Sequence, residues 1–166
     1  MKKLLIIHNK YRITGGEDIV VDQETKVLEK HFIVNSLIFS NKVSLSFNKL
    51  PLFLSSRNKD SRDKITKAID DFNPDIALVH NTWFNASLSI FDVLKEKNIQ
   101  TILKLHNFRY FCTKNFFHKD HIPRNEICSA CGQCSSRYRI FNKYFQDSYI
   151  KSLMIILYGR RYYKLL

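Results

Sequence analysis

Three short apolar runs in this chain end on the same dipeptide. Residues 3–7 lead into His8-Asn9, residues 76–79 into His80-Asn81, and residues 101–105 into His106-Asn107. A nearly continuous apolar run of four or five residues is the pattern of a strand covered on both faces. Stretches of helical periodicity alternate with these runs. Residues 19–32 carry apolar positions at 20, 21, 27, 28 and 32, with the acids Glu17 and Asp18 in the first turn, where a helix dipole favours them. Ile65, Ala68, Ile69 and Phe72 stand at i, i+3, i+4 and i+7 in a helix over 62–72 that Asn73-Pro74-Asp75 closes, and Leu88, Phe91 and Leu94 mark another over 86–97. Residues 32–39 read as a further strand, and 40–61 as a loop with at most a short helix. Alternating strands and helices of this kind build a parallel sheet with helices on both faces, joined by right-handed crossovers. The fold class is α/β, Rossmann-like.

In an open parallel sheet all carboxyl ends lie along one edge, and ligands bind in the crevice there. His8, Asn9, His80, Asn81, His106 and Asn107 are therefore expected to converge, although they are far apart in the chain. Imidazole and carboxamide groups together supply donors and acceptors suited to hydroxyl-rich or phosphate-bearing ligands. Two of only four glycines, Gly15 and Gly16, fall between the first strand and the first helix. Unpaired N–H groups attract anions at such a place, and a missing Cβ lets a ligand approach the backbone. The pair matches neither the dinucleotide fingerprint nor a phosphate-binding loop.

The chain has 27 Lys and Arg against 15 Asp and Glu, a net charge of +12, which favours partners carrying phosphate without choosing among them. No apolar run is long enough to span a membrane: the best, residues 149–157, contains Lys151 and ends at Gly159-Arg160-Arg161. The apolar stretch after Met1-Lys2-Lys3 is too short for a secretory signal, so a cytoplasmic location is expected. In that setting Cys112, Cys128, Cys131 and Cys134 point to metal or redox chemistry rather than to disulfides. Four thiolates suit a structural zinc, a C-x-x-C-x-x-C run also suits an iron-sulfur cluster, and thiols in a loop need no ligand at all. No catalytic metal is expected. The cysteines lie in an insertion at about 110–137, before an aromatic-rich helix at about 138–165.

The segments "LLIIHNKYRITGGEDIVVDQETKVLEK", "SRDKITKAIDDFNPDIALVHNTWF", "TILKLHNFRYFC" and "CSAC" together resemble the amino-terminal domain of glycosyltransferase family 4, the retaining GT-B enzymes of bacterial envelope and capsule polysaccharide synthesis. The resemblance implies the acceptor-side half of a two-domain enzyme that moves a sugar from a sugar nucleotide to a saccharide or lipid-linked acceptor. It also implies that Gly15 and Gly16 lie near the donor phosphates and that His106 meets the transferred sugar as the catalytic-site residue, with Asn81 and Arg109 lining the cleft. Family members continue into a second, donor-binding domain, so the 166-residue chain resembles an incomplete enzyme that needs a carboxyl-terminal domain or subunit as partner. Tyr144 falls where relatives carry a further cysteine, and Cys134 is its candidate replacement.

Two other readings compete. One is a binding module that docks to a separate donor-binding subunit without catalysing transfer. The other is a basic, zinc-dependent nucleic-acid-binding protein, which accounts for the charge and for "CSACGQC" but not for the His-Asn strand ends, so no nucleic acid is expected as partner. In the family setting the last helix is a candidate contact with an anionic membrane surface, and its aromatic stripe reads equally as core that packs on the sheet or against a second domain. Tyr149, Ile150, Leu153, Met154, Ile156, Leu157, Tyr158, Tyr162 and Tyr163 would supply the apolar face, and Lys151, Arg160, Arg161 and Lys164 the cations.

Overall fold

A computed structural model of the chain describes residues 1–11, 15–40, 55–107, 110–112, 143, 145 and 147–165. It divides into two compact units: Met1–Leu52 with Ser56–His106, and Phe53–Ser55 with Asn107–Leu166.

The first unit is a four-stranded parallel sheet flanked by helices. In chain order its elements are β1 (Lys3–Lys10), α1 (Gly16–Leu28), β2 (Ile33–Ser40), α2 (Lys59–Phe72), β3 (Ile76–Val79), α3 (Ser89–Glu96) and β4 (Gln100–Leu103). The strand order is β2-β1-β3-β4. Strand β1 is therefore central, which is why its residues from Leu4 to Asn9 are all buried, whereas β2 and β4 are edges and keep polar or exposed positions such as Asn35, Ser36, Gln100 and Thr101. The chain leaves β1 towards β2 on one side and later returns past it to β3 on the other, so the connections diverge between β1 and β3. That divergence is the switch point at which open α/β sheets form a crevice.

Alternation along the strands sorts the core into two layers. Leu5 and Ile7 of β1 with Ala77 and Val79 of β3 pack against Ile65 and Ile69 of α2 and Ile90, Val93 and Leu94 of α3. Leu4, Ile6 and Leu78 face the other way and pack against Val21 of α1, with Leu28 beside them. The period of two carries past the apolar residues: His8 follows Leu4 and Ile6, and His80 follows Ile76 and Leu78, on the α1 face.

Some element boundaries move from the sequence expectation for local reasons. Helix α2 begins at Lys59 because the Asn58 side chain caps it, accepting from the Asp60 N–H at 3.1 Å. Helix α3 begins only at Ser89, since Phe84 (φ 70°) and Ser87 (φ 62°) hold the preceding loop out of helical geometry. In α1 the expected inward positions 20 and 27 are wrong: Val20 and Val27 are exposed. The sheet-facing stripe is instead Asp18, Val21, Glu24 and Leu28, in which two acids take places that an apolar pattern search assigns to hydrophobic residues.

In the second unit, α4 spans Tyr149–Tyr163. It starts well after residue 138, because Ser148 caps it by accepting from the Lys151 N–H and Asp147 just before has φ 50°. Tyr158 and Tyr162 are fully buried and share a hydroxyl–hydroxyl hydrogen bond of 3.0 Å, and Tyr110 packs edge-on against Tyr162. Of the nine residues expected to form an apolar outer face, Ile156, Tyr158 and Tyr162 are buried, while Tyr149, Ile150, Leu153 and Leu157 are exposed. Among the described residues no helix is long and apolar enough to cross a membrane.

The layer assignment has a direct test. Ile7→Ala, which opens a cavity between β1 and the α2–α3 layer, should cost about 2–5 kcal/mol in urea unfolding. Ile19→Ala, on the outer side of α1, should stay within about 0.5 kcal/mol of wild type.

Candidate functional site

At the end of β1 the chain passes through Gly15 into α1. The Asp18 carboxylate, one turn into the helix, accepts the Gly15 N–H at 2.9 Å through Oδ2 and meets His8 Nε2 at 2.8 Å through Oδ1. His8 is fully buried and Asp18 nearly so. Burial works to raise the Asp18 carboxyl, but the hydrogen bonds from His8 and Gly15, with nearby positive charge, outweigh it and hold the group below its ordinary value. Asp18 is thus ionised at neutral pH, His8 donates from Nε2, and His8 Nδ1 is a buried atom with no hydrogen-bond partner among the described residues. Glu17 turns elsewhere and accepts the Tyr11 hydroxyl at 2.8 Å.

His80 lies beside His8, ring centroids 6.1 Å apart and nearly perpendicular, and its Nδ1 is 2.8 Å from His106 Nε2. The His80 and His106 rings also stack, with centroids 5.1 Å apart. Behind them, on the inward stripe of α1, Glu24 accepts from Lys104 Nζ at 2.7 Å, and the same Glu24 oxygen stands 3.9 Å from His80 Nε2. Burial pushes His80 down to about 4, helped by the neighbouring His106 and opposed by Glu24. Burial likewise lowers His106, with Lys104 adding to the effect and Glu17 opposing it. Both imidazoles are therefore neutral at pH 7, so they can exchange hydrogen bonds with uncharged groups.

The asparagines do different work from the histidines. Asn81 Nδ2 donates to the Asn9 carbonyl at 2.9 Å, Asn9 Nδ2 donates to the Trp83 carbonyl, and the Asn81 side-chain oxygen accepts the Trp83 N–H at 3.1 Å. The two carboxamides tie the ends of β1 and β3 to the loop after β3, and Asn9 Oδ1 is buried with no hydrogen-bond partner among the described residues. Asn107 follows His106 and is half-buried. Neither Gly15 nor Gly16 has a positive φ, and a Cβ on either would meet nothing within 4 Å. The local conformation does not need glycine at these two places, and the space beside their backbone is open.

Arg109, Cys128, Cys131 and Cys134 lie outside the described residues, and Cys112 is half-buried. Among the described residues no group of three or more His, Cys, Asp or Glu is placed to hold a metal ion. The site thus brings together His8, His80 and His106 with Gly15 near by, and adds Asp18, Glu24 and Lys104, which the sequence reading did not select. Asp18 and Glu24 carried a signal that could have found them: both interrupt the apolar stripe on the sheet-facing side of α1.

A depression of about 560 Å³ lies between the start of α2 and the length of α3, but its arginines are engaged with acids, Arg57 with Asp92 and Arg62 with Glu96. Comparison with protein-family models, with curated proteins and with solved structures finds no match.

Two outcomes test this electrostatic account. Asp18→Ala leaves the buried His8 N–H without an acceptor and should cost about 2–4 kcal/mol in chemical denaturation. The pH dependence follows from the sign of the His80 shift. Between about 4 and 6.5 the unfolded chain binds a proton that native His80 does not, so stability is complete above pH 6.5 and is lost as the pH falls towards 4. Unfolding free energies from urea titrations should fall through that window, by an amount on the order of 3 kcal/mol in full, and the slope should shrink in His80→Gln.

Proposed function

We propose that the chain is the acceptor-side domain of a sugar-nucleotide-dependent glycosyltransferase of the family 4, GT-B type. The observation that carries this reading is the convergence of three imidazoles at the carboxyl ends of the strands beside the β1–β3 switch point, His106 three residues beyond β4 and stacked on His80, with His80 and His106 held neutral. Neutral imidazoles beside an open Gly15–Gly16 backbone suit a ligand that joins hydroxyl groups to a phosphate, which is the chemistry of a sugar nucleotide. The segments that resemble family 4 supply the same residues in the same order.

In this reading His106 meets a hydroxyl of the transferred sugar and holds it in line with the leaving diphosphate. Gly15 and Gly16 admit the donor phosphates close to the backbone. Asp18 and Glu24 act behind the histidines and fix their positions. A separate donor-binding domain or subunit supplies the diphosphate contacts, and positioning with charge stabilisation provides most of the acceleration. Arg109 and a structural zinc on the cysteines belong to the proposal through the resemblance alone.

The pure chain should turn over no sugar nucleotide, and activity should appear when a donor-binding domain is supplied. Turnover by the chain alone would exclude the divided arrangement. In the assembled enzyme His106→Ala should lower kcat by about 10²-fold or more with a smaller change in KM for the acceptor.

A cytoplasmic protein attached to the inner membrane face completes the proposal. Tyr149, Ile150, Leu153 and Leu157 are the exposed apolar residues of α4, and Lys151 and Lys164 are exposed cations on or next to it. Each cation near an anionic surface contributes about 1 kcal/mol. Co-sedimentation with vesicles should rise with anionic lipid, fall with salt, and drop on Leu153→Ser; binding that ignores all three would remove the membrane from the account.

A further inference from the structure

Glu24, His80 and His106 form a row with one carboxylate at one end and a half-buried imidazole at the other. Glu24 Oε2 is anchored by Lys104 Nζ at 2.7 Å and faces His80 Nε2 at 3.9 Å, and His80 Nδ1 meets His106 Nε2 at 2.8 Å. His80 Nε2 is buried and has no hydrogen-bond partner among the described residues, so the nearest charge facing it decides which nitrogen of the neutral ring carries the proton. We infer that Glu24 sets the tautomer of His106 through His80, leaving His106 Nδ1 as a lone-pair acceptor aimed at a neutral hydroxyl of the ligand.

A neutral imidazole carries its proton on one nitrogen and a lone pair on the other. A lone pair on His80 Nε2 would face the Glu24 carboxylate and be repelled, whereas an N–H there is attracted. The proton of His80 therefore resides on Nε2, and His80 Nδ1 becomes an acceptor. The contact to His106 then needs its donor from the other side, so His106 carries its proton on Nε2 and donates it to His80 Nδ1. His106 Nδ1 is left without a proton. Burial keeps both rings neutral near pH 7, which preserves the pattern. An acceptor at this position takes a hydrogen bond from a hydroxyl and disfavours the bare oxygen of a phosphate or carboxylate. Glu24 and His80 are positioning residues in this arrangement, acting through His106. The inference rests on the proposed function only in taking that hydroxyl to belong to a saccharide.

Long-range proton–nitrogen correlation spectra of the ¹⁵N-labelled full chain at pH 7 test it, with His106 and His80 assigned from His106→Gln and His80→Gln. The expected result is a protonated Nε2 and a bare Nδ1 on both rings. A protonated Nδ1 on His106 overturns the inference. In Glu24→Leu no oxygen faces His80 Nε2, because the atom that Lys104 holds there is gone, so the preference for a proton on Nε2 should be lost and a His106 tautomer protonated on Nδ1 should appear. Glu24 is partly exposed, so this replacement is compatible with folding. An unchanged His106 tautomer in Glu24→Leu removes Glu24 from the account. Failure to find glycosyl transfer in any assembly would remove the saccharide but would not alter either spectrum, so the two proposals fall separately.

Discussion

The Asp18 carboxylate serves two donors at once, the N–H of Gly15 at the start of α1 and Nε2 of His8 at the end of β1. One oxygen belongs to the helix and the other to the strand. Helix α1 has few apolar contacts with which to hold itself in place: Val21 is its one fully buried hydrophobic residue, Leu28 is partly buried, and Ile19, Val20 and Val27 face outward. The buried ionic hydrogen bond is therefore a main tether between α1 and the central strand. The position of Glu24, two turns along the same helix, depends on it, and so does the row that runs from Glu24 to His106.

That dependence explains where the sequence was readable. Strands β1 and β3 were legible because they lie at the centre of the sheet, where only apolar side chains are tolerated on either face. Helix α2 was legible because Ile65 and Ile69 stand one turn apart and both are buried. Helix α1 was located correctly but read with the wrong face inward, since its inward stripe holds Asp18 and Glu24, and a search for hydrophobic spacing passes over them. Caps and left-handed residues moved the other boundaries. Asn58 extended α2 backwards, while Phe84 and Ser87 delayed α3. None of these effects has a hydrophobic signature.

The site divides in the same way. Strand-end histidines announce themselves, because an imidazole that ends an apolar run must lie at the edge of the sheet where the crevice forms. The matching asparagines make a clasp between β1 and the loop after β3: the Asn81 carboxamide satisfies backbone groups from both sides, and the Asn9 amide donates to the Trp83 carbonyl. The partners of the histidines were hidden because they come from α1 and from Lys104, which looks like an ordinary surface lysine until the fold places it against Glu24.

The shared parity of His8 and His80 has a consequence for how such a chain can change its length. Their strands are paired in a fixed register, Ile7 against Val79, and both imidazoles project one residue beyond that pair. Deleting or duplicating a single residue within β1 or β3 would preserve an apolar run but turn its histidine to the opposite layer, among the hydrophobic side chains of α2 and α3. Changes by two residues keep the face and shift only the height. Length variation at these strands is thus quantised in pairs, and the loops, which carry no such alternation, are where single-residue changes can accumulate.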